Sequence, residues 1–327
     1  MTSKATLCKL AGMALAAGLL TPALAAQPWP AHPVHVVVGY PAGGGLDFVA
    51  RLLAKQLNLE TGQNFIVENR PGASGSIAAQ TVVRSAPDGY TFLVASPAEV
   101  LVGPIAGQHI PYNPRTDLVP VTLAGETPLA ITINPKTPAK SLSGLLDYAR
   151  SHPGKLSYGS PGTGSSMQFA GESLNLLAHT HILHVPYKGA APAISDLMGN
   201  QIPLAIVGMP PVAPLAKTGK LDILAVTGDH RSSTLPQVPT VAELPGFAGY
   251  RFTNWMGIYV SKGTPPAIID RLAALVTKAV HDKQVRQQLL NQGVEPVGNT
   301  PAQFAEFLRA ERKRYEAVKA KSHISLD

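Results

Sequence analysis

The chain has 327 residues, of which 45% are hydrophobic and 14% charged, and its formal net charge is +7. This balance is typical of a folded globular protein long enough for two domains, and it excludes an intrinsically disordered chain. The one dense basic run, residues 309–321, has glutamates interspersed at helical spacing. The run therefore indicates a solvated helix face and argues against a nucleic-acid-binding protein.

The first 26 residues have the pattern of a secretory signal peptide. Two lysines precede a short apolar run over residues 10–20, and small residues follow, which predicts cleavage near Ala25 or Ala26. The apolar run is too short to span a bilayer as an anchor. Cys8, the single cysteine, lies in this segment, so the mature chain offers no disulfide, thiolate nucleophile or cysteine metal site. We therefore expect an exported protein.

Strand-like and helix-like patterns alternate along the mature chain, which predicts an α/β fold with largely parallel sheets flanked by helices. The first unit has a βαβαβ order, with strands predicted at 34–39, 65–68 and 91–95 and helices at 48–59 and 76–84. In open α/β sheets, ligands bind at the carboxyl ends of the strands. The loops 40–47, 69–75 and 96–103 are therefore the candidate ligand-binding loops.

A second set of elements begins near residue 129. Its predicted strands are at 129–134, 156–160, 182–185, 204–207 and 221–227, and its predicted helices at 142–150, 166–178, 193–199 and 212–218. A strand at 252–260 returns to the first unit, and helices at 267–281, 285–292 and 301–321 end the chain.

No linker separates the two sets, so we expect two crossing segments, near 126–130 and 248–254. Two domains joined in this way form a cleft that can close on a ligand by hinge motion. The predicted division is residues 1–26 as signal peptide, 27–128 as the first part of domain one, 129–250 as domain two, and 251–327 as the return strand and C-terminal helices of domain one.

Two glycine loops precede helices, one in each predicted domain. The first is Pro41-Ala-Gly-Gly-Gly-Leu-Asp47, and the second is Ser160–Ser166, which adds the hydroxyls of Thr163 and Ser165. Glycines let the backbone approach a ligand closely, and a helix N-terminus presents unpaired N–H groups and the positive end of the helix dipole. Structural capping explains either loop alone. Together they predict a clamp for a small carboxylic acid that bridges the cleft.

The sequence patterns of common enzymes and cofactor sites are missing. Neither Gly-x-Ser-x-Gly, nor Gly-x-x-x-x-Gly-Lys-Ser/Thr, nor Gly-x-Gly-x-x-Gly occurs in the chain. His179, His181 and His184 form the single histidine cluster, and no acidic residue lies within it to complete a metal site. We therefore predict no enzymatic activity, no cofactor and no metal.

Glu99 follows the third strand in the segment Ser96-Pro-Ala-Glu99. Facing a ligand, its carboxylate would repel an anionic end and pair with an ammonium or ring N–H. A solvated loop glutamate, or a charge at a helix N-terminus, is the alternative interpretation. The aromatic residues Trp255, Tyr187 and Tyr158 are likewise either walls of the cleft or core filling.

Taken in order, the motifs of the mature chain resemble the Bug family, the extracytoplasmic solute receptors of tripartite tricarboxylate transporters. The matching segments are Tyr40-Pro-Ala-Gly-Gly-Gly-Leu-Asp47, Val67-Glu-Asn-Arg-Pro-Gly-Ala73, Ala86-Pro-Asp-Gly-Tyr90, Tyr158-Gly-Ser-Pro-Gly-Thr-Gly164, His184-Val-Pro-Tyr-Lys-Gly189, Pro239-Thr-Val-Ala-Glu243 and Gly263-Thr-Pro-Pro266. They span nearly the whole mature chain, and their number and order make the resemblance specific.

The resemblance implies a periplasmic, two-domain, type II binding-protein fold without catalytic activity. It also implies a monomer that holds a small carboxylic or amino acid and presents it to the membrane components of a transporter. A sensor whose closed form is read by a signalling partner remains an alternative, and an exported enzyme that uses the same cleft is a less favoured one. The candidate ligand-binding residues are Tyr40, Ala42, Gly43, Gly44, Asp47, Ser96, Glu99, Ser160, Gly164, Ser165, Tyr187 and Met209.

Two departures from the family pattern bear on the ligand. Many members have an Asp in the segment that reads Val207-Gly208-Met209-Pro210 here, and Glu99 replaces a small or hydroxyl residue. Asp47 is expected to cap its helix or hold a water, since it would repel an anion. We therefore expect an amino acid or a less charged acid in preference to a simple tricarboxylate.

Overall fold

The structure is a computed structural model that describes residues 29–322 and residue 324. The predicted signal peptide and its cleavage point lie outside these residues.

Strands and helices alternate along the described chain. The strands are β1 (Val34–Val38), β2 (Phe65–Asn69), β3 (Thr91–Ala95), β4 (Leu118–Ile133), β5 (Ser157–Ser160), β6 (Leu183–Pro186), β7 (Leu204–Gly208), β8 (Asp222–Val226), β9 (Thr253–Ser261) and β10 (Glu295–Pro296). The α-helices are α1 (Gly45–Thr61), α2 (Ser76–Val83), α3 (Gly103–Ala106), α4 (Leu142–Ser151), α5 (Ser166–Ala178), α6 (Ala190–Met198), α7 (Met209–Lys217), α8 (Pro266–His281), α9 (Lys283–Asn291) and α10 (Pro301–Lys319).

The predicted α/β alternation is confirmed, and most of the predicted elements lie within a few residues of their expected bounds. β1 lies between β2 and β3 and pairs parallel with both, as β5 does between β6 and β7. The valines of β1 are almost fully buried, apart from the exposed His35 beside them, because helices cover both faces of the sheet. The parallel strands therefore end at the predicted ligand-binding loops.

The long strand β4 is the main element that the sequence reasoning did not find in full. Only its second half was expected, whereas the structure extends it back to Leu118. β4 pairs antiparallel with β9 over Leu118–Pro128 and with β7 and β8 from Leu129 onward. The sheets are therefore parallel at their outer strands and antiparallel where β4 and β9 cross between the two halves.

The change of partner along β4 falls at Pro128 and Leu129, inside the first predicted crossing segment. Thr227, immediately after β8, links the two crossing segments by hydrogen bonds. Its hydroxyl donates to the carbonyl of Phe252 at 2.5 Å and accepts the N–H of Leu129 at 2.9 Å. The crossing strands are therefore linked to each other by hydrogen bonds. The predicted domain boundaries remain a prediction.

Apolar residues fill both halves, including Leu57, Val276 and Leu289 on one side of β1 and Phe169, Phe252 and Tyr315 near α5 and α10. Among the described residues, no helix combines the length and the apolar character needed to cross a membrane.

Candidate ligand-binding site

The first glycine loop is held from behind by Asp47. This carboxylate is buried and accepts hydrogen bonds from the Gly43 N–H at 2.9 Å, the Arg51 Nε at 2.9 Å and the Asn69 side-chain amide at 2.8 Å. Burial alone would raise the pKa of Asp47, but the bonds from Arg51, Gly43 and Asn69 lower it below its ordinary value. Asp47 therefore fixes the loop as an anion whose charge Arg51 balances.

The outer surface of the same loop consists of exposed backbone. Ala42, Gly43 and Gly44 are exposed, and Gly43 has a φ of 85°, a left-handed conformation that favours glycine. Helix α1 begins at Gly45, and the first helix bond runs from the Phe48 N–H to the Gly44 carbonyl. The N–H groups of the first turn have no intrahelical acceptor. They are available to an anion, and the adjacent dipole end favours one.

Tyr40, Ser96 and Glu99 meet beneath this loop. The Glu99 side chain is 0% exposed, and its carboxyl accepts the Ser96 N–H at 2.7 Å, the Ser96 hydroxyl at 2.6 Å and the Tyr40 hydroxyl at 3.2 Å. Burial raises the pKa of Glu99 to about 7, and burial together with Glu99 raises the pKa of Tyr40 well above its ordinary value. The idea of a solvated glutamate is wrong, because the carboxyl group is enclosed.

A glycine-rich turn covers Glu99 from the other side. Gly75 has a φ of 90°, and a Cβ placed on it would lie 2.8 Å from the Glu99 carboxyl carbon. A Cβ on Gly39 would in turn lie 2.5 Å from the Gly75 Cα. Only glycines allow this close approach. Glu99 is therefore packed inside the protein, in the first turn of the short helical segment Ala98–Val102, and its enclosed side chain cannot contact an ammonium group of a ligand.

The second glycine loop is built on Ser160, at the end of β5. The Ser160 hydroxyl is buried and lies 2.7 Å from the His184 Nε2 of the neighbouring β6. It also contacts the backbone N–H and carbonyl of Gly162, both at 3.2 Å. Burial lowers the pKa of His184 to about 4, so the imidazole is neutral near pH 7. Ser160 and His184 thus set the shape of the loop from within.

The start of α5 completes this loop. Ser165 caps the helix by accepting the Gln168 N–H at 3.3 Å, and its own hydroxyl donates to the Gly162 carbonyl at 2.7 Å. The Gly164 N–H donates to the Gln168 side-chain oxygen at 2.7 Å, so this predicted ligand donor already has a partner. The capping interpretation of Ser165 is confirmed, and its hydroxyl reaches a ligand only if it exchanges that partner.

The remaining predicted residues divide between core and surface. Trp255 and Tyr158 are 0% and 1% exposed, so both are core residues and the interpretation of them as cleft walls is wrong. Met209 begins α7 but is 0% exposed and packs among apolar residues, which leaves its side chain no access to a cleft. Tyr187 is half-buried and donates to the Asp196 carboxylate at 2.8 Å. Of these four, Tyr187 alone is positioned to face a ligand.

Four residues that hold the loops were not predicted from the sequence as site residues: Arg51, Asn69, Gln168 and His184. Arg51 follows Asp47 at i,i+4 spacing on α1, and this spacing predicts an ion pair. Gln168 follows Ser165 at the spacing of a capping box, which was another local signal. The Ser160–His184 contact joins β5 to β6 and the Asp47–Asn69 contact joins α1 to β2, and nothing local in the sequence indicates either of them. No group of three or more potential metal ligands occurs among the described residues.

The sequence as a whole matches a known receptor family. A family model described as "Tripartite tricarboxylate transporter family receptor" matches residues 49–323. The chain belongs to this family. It is 36% identical over 303 residues to Protein BugT of Bordetella pertussis, with 92% of each chain covered. The family consists of periplasmic solute-binding receptors and is not a family of enzymes.

Solved structures support the same assignment for this receptor. A protein from R. palustris solved with adipate shares 33% identity and a TM-score of 0.78, covering 91% of this chain and 99% of that one. MatC from Rhodopseudomonas palustris, solved with bound malate, shares 30% identity and a TM-score of 0.73, covering 89% of this chain and 99% of that one. The periplasmic binding protein BugD has a TM-score of 0.74 at 29% identity, covering 91% of this chain and 99% of that one. The two-domain type II binding-protein fold is thereby confirmed.

Proposed function

We propose that this receptor captures a dicarboxylate in the cleft between its two halves, with one carboxylate on each glycine loop. The observation that carries the proposal is the exposed backbone of the first loop at the N-terminus of α1, backed by an aspartate whose charge is already balanced. Such a surface attracts an anion through N–H groups and the helix dipole, without a free cationic side chain.

The charge of Asp47 does not oppose this proposal. Its carboxylate points back into the loop, where Arg51 and Asn69 occupy it. The Gly43 N–H is used to orient the loop, and the Gly44 N–H is bonded to the Pro41 carbonyl at 3.4 Å, so the donors for a ligand are the N–H groups of the first helical turn from Gly45 onward. The carboxylate of the ligand would thus meet a positive helix end with no exposed negative group of the loop beside it.

The ligand that best fits this site is a dicarboxylate, not an amino acid. The expectation of an amino acid depended on an accessible Glu99 carboxylate, and that side chain is fully enclosed. Two relatives with the same fold were solved with adipate and malate, which are both dicarboxylates. In the second loop, the exposed Thr163 offers its N–H and hydroxyl to the other carboxylate, and the Ser165 hydroxyl can join them by exchanging its Gly162 partner.

The family gives this binding step its biological setting. We propose that the receptor is exported by the signal peptide of residues 1–26, acts in the periplasm as a monomer, and delivers its ligand to the membrane subunits of a tripartite tricarboxylate transporter. Closure occurs about the crossing strands β4 and β9, where the two halves share one ladder. We propose the boundaries near residues 128 and 250 as the limits of domain two.

A thermal-shift screen of the mature protein tests the proposal. The screen compares malate, adipate, citrate and glutamate, after native mass spectrometry has shown whether a solute co-purifies. A ligand present at about 100 times its Kd stabilises a protein by about 2.7 kcal/mol, which is a visible rise in Tm. We expect malate or adipate to raise the Tm more than glutamate does. Stabilisation by glutamate alone would show that the site requires an amino group, and would contradict the assignment of a dicarboxylate that is not an amino acid. An absence of any shift and of any co-purified solute would contradict carboxylate capture.

A further inference from the structure

A second cavity lies on the first half of the protein, outside both glycine loops. Its volume is about 190 Å³, and its walls come from the start of β4, the strand β9, helix α10 and the residues that follow Glu99. Val100, Leu101, Leu118 and Leu308 make these walls largely apolar. The cavity is large enough for several water molecules but smaller than the pockets that hold drug-sized ligands.

The rim of this cavity is cationic. Arg115, Arg309 and Arg312 line it, and no acidic residue is among its lining residues. Arg309 is paired with Glu306, whereas the nearest carboxylate oxygen to Arg312 is that of Glu316, at 3.8 Å. Burial, together with the positive charge of Arg115, lowers the pKa of Arg312 below its ordinary value. Two guanidinium groups thus share one opening without a carboxylate between them.

A polar group without a partner is buried behind the wall of the cavity. Tyr259 of β9 lines the cavity and is 2% exposed, and its hydroxyl has no hydrogen-bond partner among the described residues. A buried hydroxyl without a partner is costly, and native proteins usually satisfy such groups with a ligand, a water or another side chain. Burial and the nearby Glu99 carboxyl raise the pKa of this hydroxyl well above its ordinary value, and the Arg312 guanidinium partly opposes this. The cavity therefore presents two cations at the rim of an apolar chamber, with the Tyr259 hydroxyl enclosed behind its wall.

We propose that this cavity binds a small carboxylate with a short apolar tail, whose carboxylate lies between Arg115 and Arg312. The anion relieves the repulsion between the two guanidinium groups and accepts charge-assisted hydrogen bonds from them. The apolar tail occupies the space between Leu101, Leu118 and Leu308. This second site is independent of the cleft and does not depend on which acid the cleft holds.

Butyrate is a suitable probe, because it combines a carboxylate with a short alkyl chain. The experiment measures its Kd by ¹⁹F NMR with a trifluorinated butyrate, using the mature receptor and its variants. Arg312→Gln and Arg115→Gln each remove one guanidinium group that contacts the carboxylate, and we expect each to weaken binding about tenfold. The matched control is Lys313→Gln, which removes the same charge from the neighbouring, exposed position of α10.

The control should leave the Kd of butyrate within about twofold of the wild-type value, because Lys313 does not line the cavity. Gly44→Val, which alters the cleft loop, should also leave this binding in place. Equal affinity in the wild type, Arg312→Gln and Arg115→Gln would overturn the proposal. So would an absence of binding to the wild type. Loss of transport in Arg312→Gln with no butyrate binding would assign the arginines to protein docking, and would overturn the small-anion site as well.

Discussion

Arg251 pairs with Glu126 where the two crossing strands leave one half of the protein for the other. The Arg251 guanidinium bonds to the carboxylate of Glu126 in β4, and it also donates to the Glu311 carboxylate of α10 at 3.1 Å. Glu126 and Glu311 are 8% and 1% exposed. A single cation therefore holds two buried carboxylates together beside the strands about which the halves are proposed to move.

Removal of this cation should destabilise the protein strongly. Arg251→Gln leaves the buried Glu126 carboxylate without its cation, whereas Glu311 keeps Arg314, and breaking a buried pair from one side costs about 3–5 kcal/mol. The measurement is the free energy of unfolding from urea titration. Arg309→Gln is the control, since Arg309 pairs with the exposed Glu306 and such surface pairs contribute about 0–1 kcal/mol. Equal losses in the two variants would contradict this account.

The Gly44→Val substitution should abolish ligand binding and leave the fold intact. Gly44 has a φ of −77°, which any residue adopts, and a Cβ there would meet only the Pro41 carbonyl, at 3.4 Å. The branched side chain would, however, stand on the exposed surface over which the carboxylate approaches. We expect the Kd of the cleft ligand to rise at least about tenfold, because the ligand loses a hydrogen bond to its charged carboxylate. The Tm of the unliganded protein should be nearly unchanged.

Gly199→Val is the matched control for that substitution. Gly199 is exposed, has a φ of −72° and lies at the end of α6, away from both glycine loops. The Gly199→Val variant should retain wild-type affinity for the cleft ligand. Retained affinity in Gly44→Val would remove the first loop from the site.

Glu99 should make the folded protein less stable as the pH rises. Burial raises the pKa of Glu99 to about 7 from an ordinary value of 4.5. Between these values the folded protein keeps a proton that the unfolded chain has lost, so the free energy of unfolding falls by about 3 kcal/mol as the pH rises through this window. Glu99→Gln removes that dependence. Urea titrations at about pH 5 and about pH 8 measure it, and identical pH slopes in both proteins would contradict the prediction.

His184 should act in the opposite direction. Burial lowers the pKa of His184 to about 4 from an ordinary value of 6.5. Between these values the unfolded chain binds a proton that the folded protein excludes, so stability increases as the pH rises. The imidazole is only partly buried, and we expect about 2 kcal/mol from this group after allowing for solvent screening.

The contributions of His184 and Glu99 oppose each other between about pH 4.5 and about pH 6.5, so they partly cancel in the wild-type protein. His184→Asn should therefore expose the falling slope that Glu99 produces, whereas Glu99→Gln exposes the rising slope of His184. The same urea titrations, repeated on both variants, check that the two groups change the free energy of unfolding in opposite directions. Slopes of the same sign in the two variants would show that one of the assignments is wrong.

The sequence predicts much of the fold because its signals are local. Strand β3 and helix α5 have the predicted bounds, since apolar runs and a serine cap mark them. The first half of β4 was not predicted, because Pro120 and Pro128 are typical of loops. In the structure the ladder shifts register immediately after Pro120, which is how a proline is tolerated in a strand.

The candidate site was less predictable than the fold. The glycine loops were readable from composition, whereas the burial of Glu99 depends on Tyr40 and Gly75, which come from distant parts of the chain. Ser96 and Glu99 do have the spacing of a capping box, and this signal favoured an inward-facing carboxyl. Contacts between elements that are far apart in sequence require the folded chain, and they decide which polar side chains reach a ligand.

The continuity of β4 limits where this protein can be divided into fragments. Each half contributes partners to the same strand, so a chain cut at Pro128 would leave two fragments with open sheet edges. Exposed edges of this kind promote aggregation. A biosensor built from this receptor should therefore carry its reporters at surface turns such as Gly107 and keep the polypeptide whole through both crossings.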